Sequence, residues 1–173
     1  MQIAAKCKWN LEVIKSLVHL LMFGKKNPKT SMLSFSILFF LFACVILALK
    51  TDFLSYIVVV SMIVLIISGL FIYFISPKIR YNALGKLKDA EIEYIFCDDS
   101  IKVFTRSKEY NDEAECKYSI FVKAYETSRY FFFFATNNQV YIIDKATIVD
   151  GCATDVRNKI KPILNSKYFI CKY

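Results

Sequence analysis

The chain has 173 residues, 56% of them hydrophobic, and a formal net charge of +8, enough for one domain with its own core. The basic excess is confined to two segments: residues 1–30 carry a net +5 and residues 77–90 a net +3, whereas residues 91–173 hold 12 basic and 12 acidic side chains. A nucleic-acid domain carries its basic patch in the folded part, so the charge pattern argues against nucleic acid as a partner.

Residues 1–30 read as an amphipathic basic N-terminal helix. Val13, Ile14, Leu17, Leu20 and Leu21 recur at helical spacing, with Glu12, Lys15, Ser16 and His19 on other faces. Asn10 suits an N-cap and Gly24 a stop. The apolar stretch Leu11–Phe23 is interrupted by Glu12, Lys15 and His19, which argues against a cleavable signal. Two readings of this helix stay open: it lies in a membrane interface with Trp9 near the headgroups, or its apolar face packs on the folded domain.

Residues 31–76 read as an antiparallel transmembrane hairpin. Ser31–Leu49 and Phe53–Ile75 are uncharged runs of 19 and 23 residues, separated by Lys50, Thr51 and Asp52. At about 1.5 Å per residue each run can cross a hydrocarbon layer of about 30 Å, and three residues cannot lead back across it. Both flanks therefore fall on one side. Ser36 with Ala43, and Ser61 with Ser68 and Gly69, put small residues where helices can approach. Neither span holds Asp, Glu, Lys, Arg or His, so no proton relay or ion path is suggested. The basic flanks give the positive-inside signature and place both termini in the cytoplasm of a multi-pass inner-membrane protein. Lys25, Lys26, Lys29, Lys78 and Arg80 are the candidate membrane-surface residues, facing anionic headgroups.

Pro77 is expected to end the second span, and residues 77–90 to form a basic linker or short helix. Residues 91–173 then read as a β domain. Ile92–Cys97 and Ile101–Arg106 flank the turn residues Asp98, Asp99 and Ser100, and Ser107–Glu115 reads as a longer loop. Cys116–Tyr125 alternates; Thr127 and Ser128 mark a turn into Arg129–Thr136; Asn137 and Asn138 suit a tight turn into Gln139–Ile143. Short connections predict antiparallel pairing. Cys152, Val156, Ile160, Ile163 and Leu164 form one apolar stripe of a C-terminal helix that ends near Lys161 or kinks there, because Pro162 lacks an amide donor, and Lys167–Tyr173 is a short strand or a frayed tail.

The run Tyr130–Phe134 is aromatic on both faces. A half-solvated strand is not, so something covers the second face. Core is the plainer reading; a docking patch formed by Tyr130, Phe131 and Phe133 is the candidate interaction surface.

This order of parts resembles the YcxB-like family of small bacterial membrane proteins. The similarity is strongest from Tyr118 to Lys145, where YSIFVKAYETSRYFFFF looks like the family's strand, acidic-Thr turn at Glu126 and Thr127, and aromatic strand. QVYIIDK looks like its strand ending in Ile-Pro-Lys, with Asp144 in place of the proline. The resemblance implies a cytoplasmic domain similar to the pleckstrin-homology (PH) fold and brings no catalytic or ligand-binding residue.

The residues point to no chemistry. The four glycines are isolated, so no phosphate loop forms. The six cysteines are dispersed and read as free thiols of a reducing compartment, and with one histidine, His19, no metal site or His-based triad is expected. Asp98 with Asp99, and Asp112, Glu113 and Glu115, read as solvated acids. The expectation is thus an α+β membrane protein, not an enzyme, with no catalytic, cofactor-binding or metal residues and no small-molecule substrate. Its partners would be the lipid bilayer and either a protein partner or a second copy, its role to bind that partner or sense conditions at the inner membrane face. The alternative is a small pore-forming or holin-like protein, and a membrane enzyme ranks last.

Overall fold

The computed structural model describes residues 3–24, 28–48, 53–107 and 111–171. The chain opens with a strand, β1 (Ile3–Lys8), in which Ile3, Ala5 and Cys7 are buried and alternate with more exposed residues. This differs from the expectation of a helix across residues 1–30. The alternation is period two, and the helix α1 (Leu11–Phe23) starts after it. Asn10 caps α1, its side chain accepting the Val13 amide at 3.0 Å. Gly24 ends it at φ 58°, a conformation glycine adopts without strain.

Two long helices follow, α2 (Pro28–Ala48) and α3 (Phe53–Asn82). Tyr56–Asn82 is long and apolar enough to cross a membrane, with a mean hydropathy of 2.8 and 6% of its most apolar window buried. The apolar part of α2 among the described residues, Leu33–Val45, is shorter. Pro77 does not end α3, which continues to Asn82. Proline lacks an amide hydrogen, so the Tyr73 carbonyl loses its helical donor. The Tyr73 ring is where α1 docks: His19 stacks on it at 4.3 Å with the planes 12° apart.

The remainder is an α+β domain of two four-stranded sheets. The first has the order β1, β2 (Glu91–Phe96), β3 (Ser100–Arg106), β4 (Asn111–Lys117), antiparallel throughout. The second sets β7 (Val140–Asp144) beside β6 (Tyr130–Phe134), then β5 (Lys123–Glu126), then β8 (Tyr168–Ile170). Between β7 and β8 lies the C-terminal helix α4 (Ala153–Leu164), with Val156, Ile160 and Leu164 buried and Pro162 inside its last turn. The register of α4 holds past Pro162 to Leu164, so Lys161 is not its end.

Three pairings depart from the expected pattern. Asn111–Lys117 is a strand, where Ser107–Glu115 read as a loop; its charged, exposed residues suit the edge position it takes beside β3. The alternating run Cys116–Tyr125 is broken by a 3₁₀ turn at Tyr118–Ile120, where the chain passes from one sheet to the other. β8 runs parallel to β5, because α4 serves as a crossover.

One apolar cluster joins both sheets, α4 and two residues of α1, Val13 and Leu20. At its centre Phe131, Phe132 and Phe133 are each 0% exposed, and Phe131 stacks on Phe133 at 5.8 Å. The second face of β6 is thus covered by this chain itself.

Two outcomes follow. Phe132→Ala and Phe133→Ala should each lower stability by about 3–5 kcal/mol, read by denaturant unfolding of the full chain in micelles; a loss confined to one variant would contradict burial on both faces. A chain truncated to residues 77–173 lacks β1 and should melt lower than the same fragment supplied with a peptide of residues 1–10. Equal melting would contradict the β1–β2 ladder.

Candidate functional site

The strongest constellation of charged side chains in the fold is built on Glu126, the last residue of β5. It follows Ala124 at period two, so it points to the same buried side. Its carboxylate is 2% exposed, and an isolated buried charge is costly. Here each oxygen is occupied. Arg157 of α4 donates through Nε to Oε2 at 2.8 Å and through Nη2 to Oε1 at 2.5 Å. Lys145 Nζ donates to Oε1 at 2.8 Å and to the Thr127 carbonyl at 2.6 Å. The Tyr168 hydroxyl of β8 donates to Oε2 at 2.7 Å. Burial alone would raise the Glu126 pKa, but the bonds from Arg157, Lys145 and Tyr168 outweigh it and hold the group down to about 2. Burial, with Glu126 as acceptor, pushes the Tyr168 hydroxyl well above its ordinary value.

The turn after Glu126 is fixed by Thr127, whose Oγ1 accepts the Tyr130 amide at 3.0 Å and donates to the Tyr130 carbonyl at 3.1 Å. Lys145 also lies over the Phe131 ring at 4.7 Å. The cluster thus ties β5, the turn after β7, α4 and β8 together. With its donors and acceptors matched, its chemistry is that of a clamp: the carboxylate is paired, has a low pKa and is shielded, which suits neither a general base nor a nucleophile.

A second ion pair sits outside this one. Arg129 pairs with Glu12 of α1 and, at 3.5 Å, with Asp144 at the end of β7. It also lies 5.1 Å from the Tyr130 ring centroid.

The candidate interaction surface resolves as interior. Tyr130, Phe131 and Phe133 are 3%, 0% and 0% exposed, so these side chains form core and not a docking face. Of the candidate membrane-surface residues, Lys78 and Arg80 are exposed near the end of α3 and Lys29 falls in the first turn of α2; Lys25 and Lys26 lie outside the described residues. Asp98 is a turn residue 3.5 Å from Lys159, and Asp112, Glu113 and Glu115 are exposed on β4. Sequence reasoning missed Arg157 and Tyr168 as partners of Glu126. The available signal was an acid in phase with Ala124 on a buried strand face, which demands a cation from elsewhere.

The clamp predicts a pH profile. The folded pKa of Glu126 lies below the ordinary value of 4.5, so its contribution is complete above about pH 4.5 and is lost as pH falls towards 2, amounting to about 3 kcal/mol. Glu126→Gln should destabilise the protein by about 3–5 kcal/mol at neutral pH, since it leaves two cations unmatched, and should flatten the acid limb. Urea midpoints from pH 2 to 7 check both, and an unchanged acid limb would contradict the assignment.

Residues 98–160 match the family described as YcxB-like protein. No curated protein and no solved structure matches the chain. The matched stretch runs from the turn before β3 into α4 and contains Glu126, Thr127, Lys145 and Arg157. Over this stretch, which holds Glu126, Lys145 and Arg157 of the clamp and the aromatic strand, the chain is similar to the YcxB-like family.

Proposed function

We propose that this is a membrane-anchored, non-enzymatic protein whose β domain, PH-like in layout, works at the cytoplasmic face of a bacterial inner membrane, where it binds a partner or senses local conditions. One observation carries the reading: the apolar helices are inserted between two neighbouring strands. β1 ends at Lys8, which pairs with Glu91 at the start of β2, and the Trp9 amide donates to the Ala90 carbonyl at 2.9 Å. The chain leaves and re-enters the domain at one point, and everything from α1 to α3 hangs from it.

Such an insertion suits a two-span hairpin, because an even number of crossings returns the chain to the side it left. Residues 53–75 are uncharged and α3 is almost wholly exposed along its apolar window, which water does not tolerate and lipid does. Lys78 and Arg80 at the exit of α3, with Lys29 at the entrance of α2, suit contact with anionic headgroups and a cytoplasmic domain. The layout of seven strands in two sheets followed by α4 supports the PH-like description. A domain whose central carboxylate is fully paired supports binding over catalysis.

Reporter fusions test the topology. Fluorescent-protein and alkaline-phosphatase fusions at residue 1 and residue 173 should both report the cytoplasm, and an insertion at residue 51 the opposite side. A periplasmic signal from either terminus would sink this reading.

A further inference from the structure

Where α1 meets α2 and α3, a half-open cleft of about 220 Å³ lies between the three helices. Phe35 and Phe39 of α2, Ile66, Gly69 and Leu70 of α3, and Met22 and Phe23 of α1 belong to its lining. Ser36 supplies the one hydroxyl of these otherwise apolar walls. The gap has a cause in the sequence. Gly69 carries no side chain, and a Cβ at that position would meet nothing within 4 Å. A water needs several polar partners, and an apolar cavity of this kind takes apolar ligands instead.

Depth and charge select the occupant. Phe35 and Phe39 lie about 10–17 Å along α2 from Pro28, at about 1.5 Å per residue. Half the hydrocarbon layer is about 15 Å thick. With α2 and α3 standing in a bilayer, the cleft falls within the leaflet next to the β domain, where the apolar chains at hand are lipid acyl chains. One row of side chains leads from it towards the domain: Ile66, Leu70, Phe74 and Lys78 follow at four-residue spacing, the spacing of a ridge along a helix. Leu70, Phe74 and Lys78 are exposed. From Ile66 to Lys78 the row spans about 18 Å, close to the roughly 20 Å of one leaflet with its headgroups. A lipid laid along this row has its acyl chain at Ile66 and Leu70 and its phosphate beside the Lys78 ammonium.

We propose that this cleft holds the acyl chain of a single anionic phospholipid from the leaflet facing the β domain, with Lys78 at its phosphate. Charge complementarity favours an anionic headgroup over a zwitterionic one, since residues 77–90 carry a net +3 and both Lys78 and Arg80 are exposed. The chain of such a lipid touches α1, α2 and α3 together and fills the junction of the three helices. The proposal rests on the membrane-anchored reading and deepens it by assigning one lipid a built site.

The test is native mass spectrometry of the full chain in dodecyl-maltoside micelles supplied with equal amounts of dioleoyl phosphatidylglycerol and dioleoyl phosphatidylcholine. A single retained lipid, mainly phosphatidylglycerol, is expected. Gly69→Leu puts a side chain into open space and replaces glycine by a better helix former, so the helix is kept while lipid retention should fall severalfold. Val60→Leu, at an exposed position of α3 outside the lining, should leave retention unchanged. Lys78→Gln should keep a lipid bound but abolish the preference for the anionic headgroup. No retained lipid, or retention that Gly69→Leu leaves intact or that Val60→Leu lowers equally, overturns the proposal and leaves ordinary boundary lipid. A dimer mass without lipid also overturns it and assigns the cleft to a second copy. A headgroup preference that survives Lys78→Gln overturns the placement of the phosphate. Failure of the membrane reading looks different: the chain would stay monodisperse without detergent, whereas failure of the site alone leaves the fusion results standing.

Discussion

The structure depends on one ladder, the antiparallel pairing of β1 with β2 from Ile3↔Phe96 to Lys8↔Glu91. Everything between residues 9 and 90 interrupts it. At the base of the insertion the Trp9 amide donates to the Ala90 carbonyl and the Asp89 amide to the Trp9 carbonyl, so the outgoing and returning chains are bonded side by side. Closing so long a loop costs little more than closing a shorter one, because the penalty grows with the logarithm of length. The gain is positional. Ile3, Ala5 and Cys7 enter the common core, and β1 is tied to the segment after β7 by the isolated Ala4–Val149 bridge and by Thr147 Oγ1, which accepts the Lys6 amide at 2.9 Å. The apolar helices are therefore anchored inside the domain and are not appended to its end.

The Glu126 clamp does for the C-terminal elements what the ladder does for the first strand. Its donors come from 19, 31 and 42 residues further along the chain, and all three reach one carboxylate. A buried ion pair of this kind is weak evidence for net stability, because desolvation offsets much of the attraction. Its geometric requirement is strict, however: the β5 end, α4 and β8 must be in place together for every donor to be matched. That gives the acidic-Thr turn a physical meaning. Glu126 anchors the elements that close the domain, and Thr127 shapes the turn that sends the aromatic strand back beside β5.

What the sequence made legible was local. The Asn10 and Gly24 ends of α1, the stripe of α4 and the two-faced burial of Tyr130–Phe134 all follow from spacing and chemistry within a few residues. What it hid was pairing at a distance. β1 is six residues long, and its period is swamped by the longer helical pattern beside it. β4 is polar because it is an edge, so its composition imitates a loop. Glu126 was visible as part of a turn, but not its partners, because nothing in Arg157 or Tyr168 marks them for that carboxylate. The aromatic run resembles a docking face in sequence because its cover is supplied by the other sheet and the helices, elements distant in sequence.

The remaining element, α1, touches both the apolar helices and the β domain. It packs mainly against α3 and α2, and the His19–Tyr73 stack contributes to that contact; such aromatic pairs add about 0.5–1.5 kcal/mol beyond their burial. Towards the β domain it offers Val13 and Leu20 to the core and the exposed Glu12–Arg129 pair to the surface. A helix packed against two others on one side and held partly by an exposed ion pair on the other has a stronger and a weaker seam. The seam between α1 and the β5–β6 turn is therefore the contact of this helix most open to screening by salt.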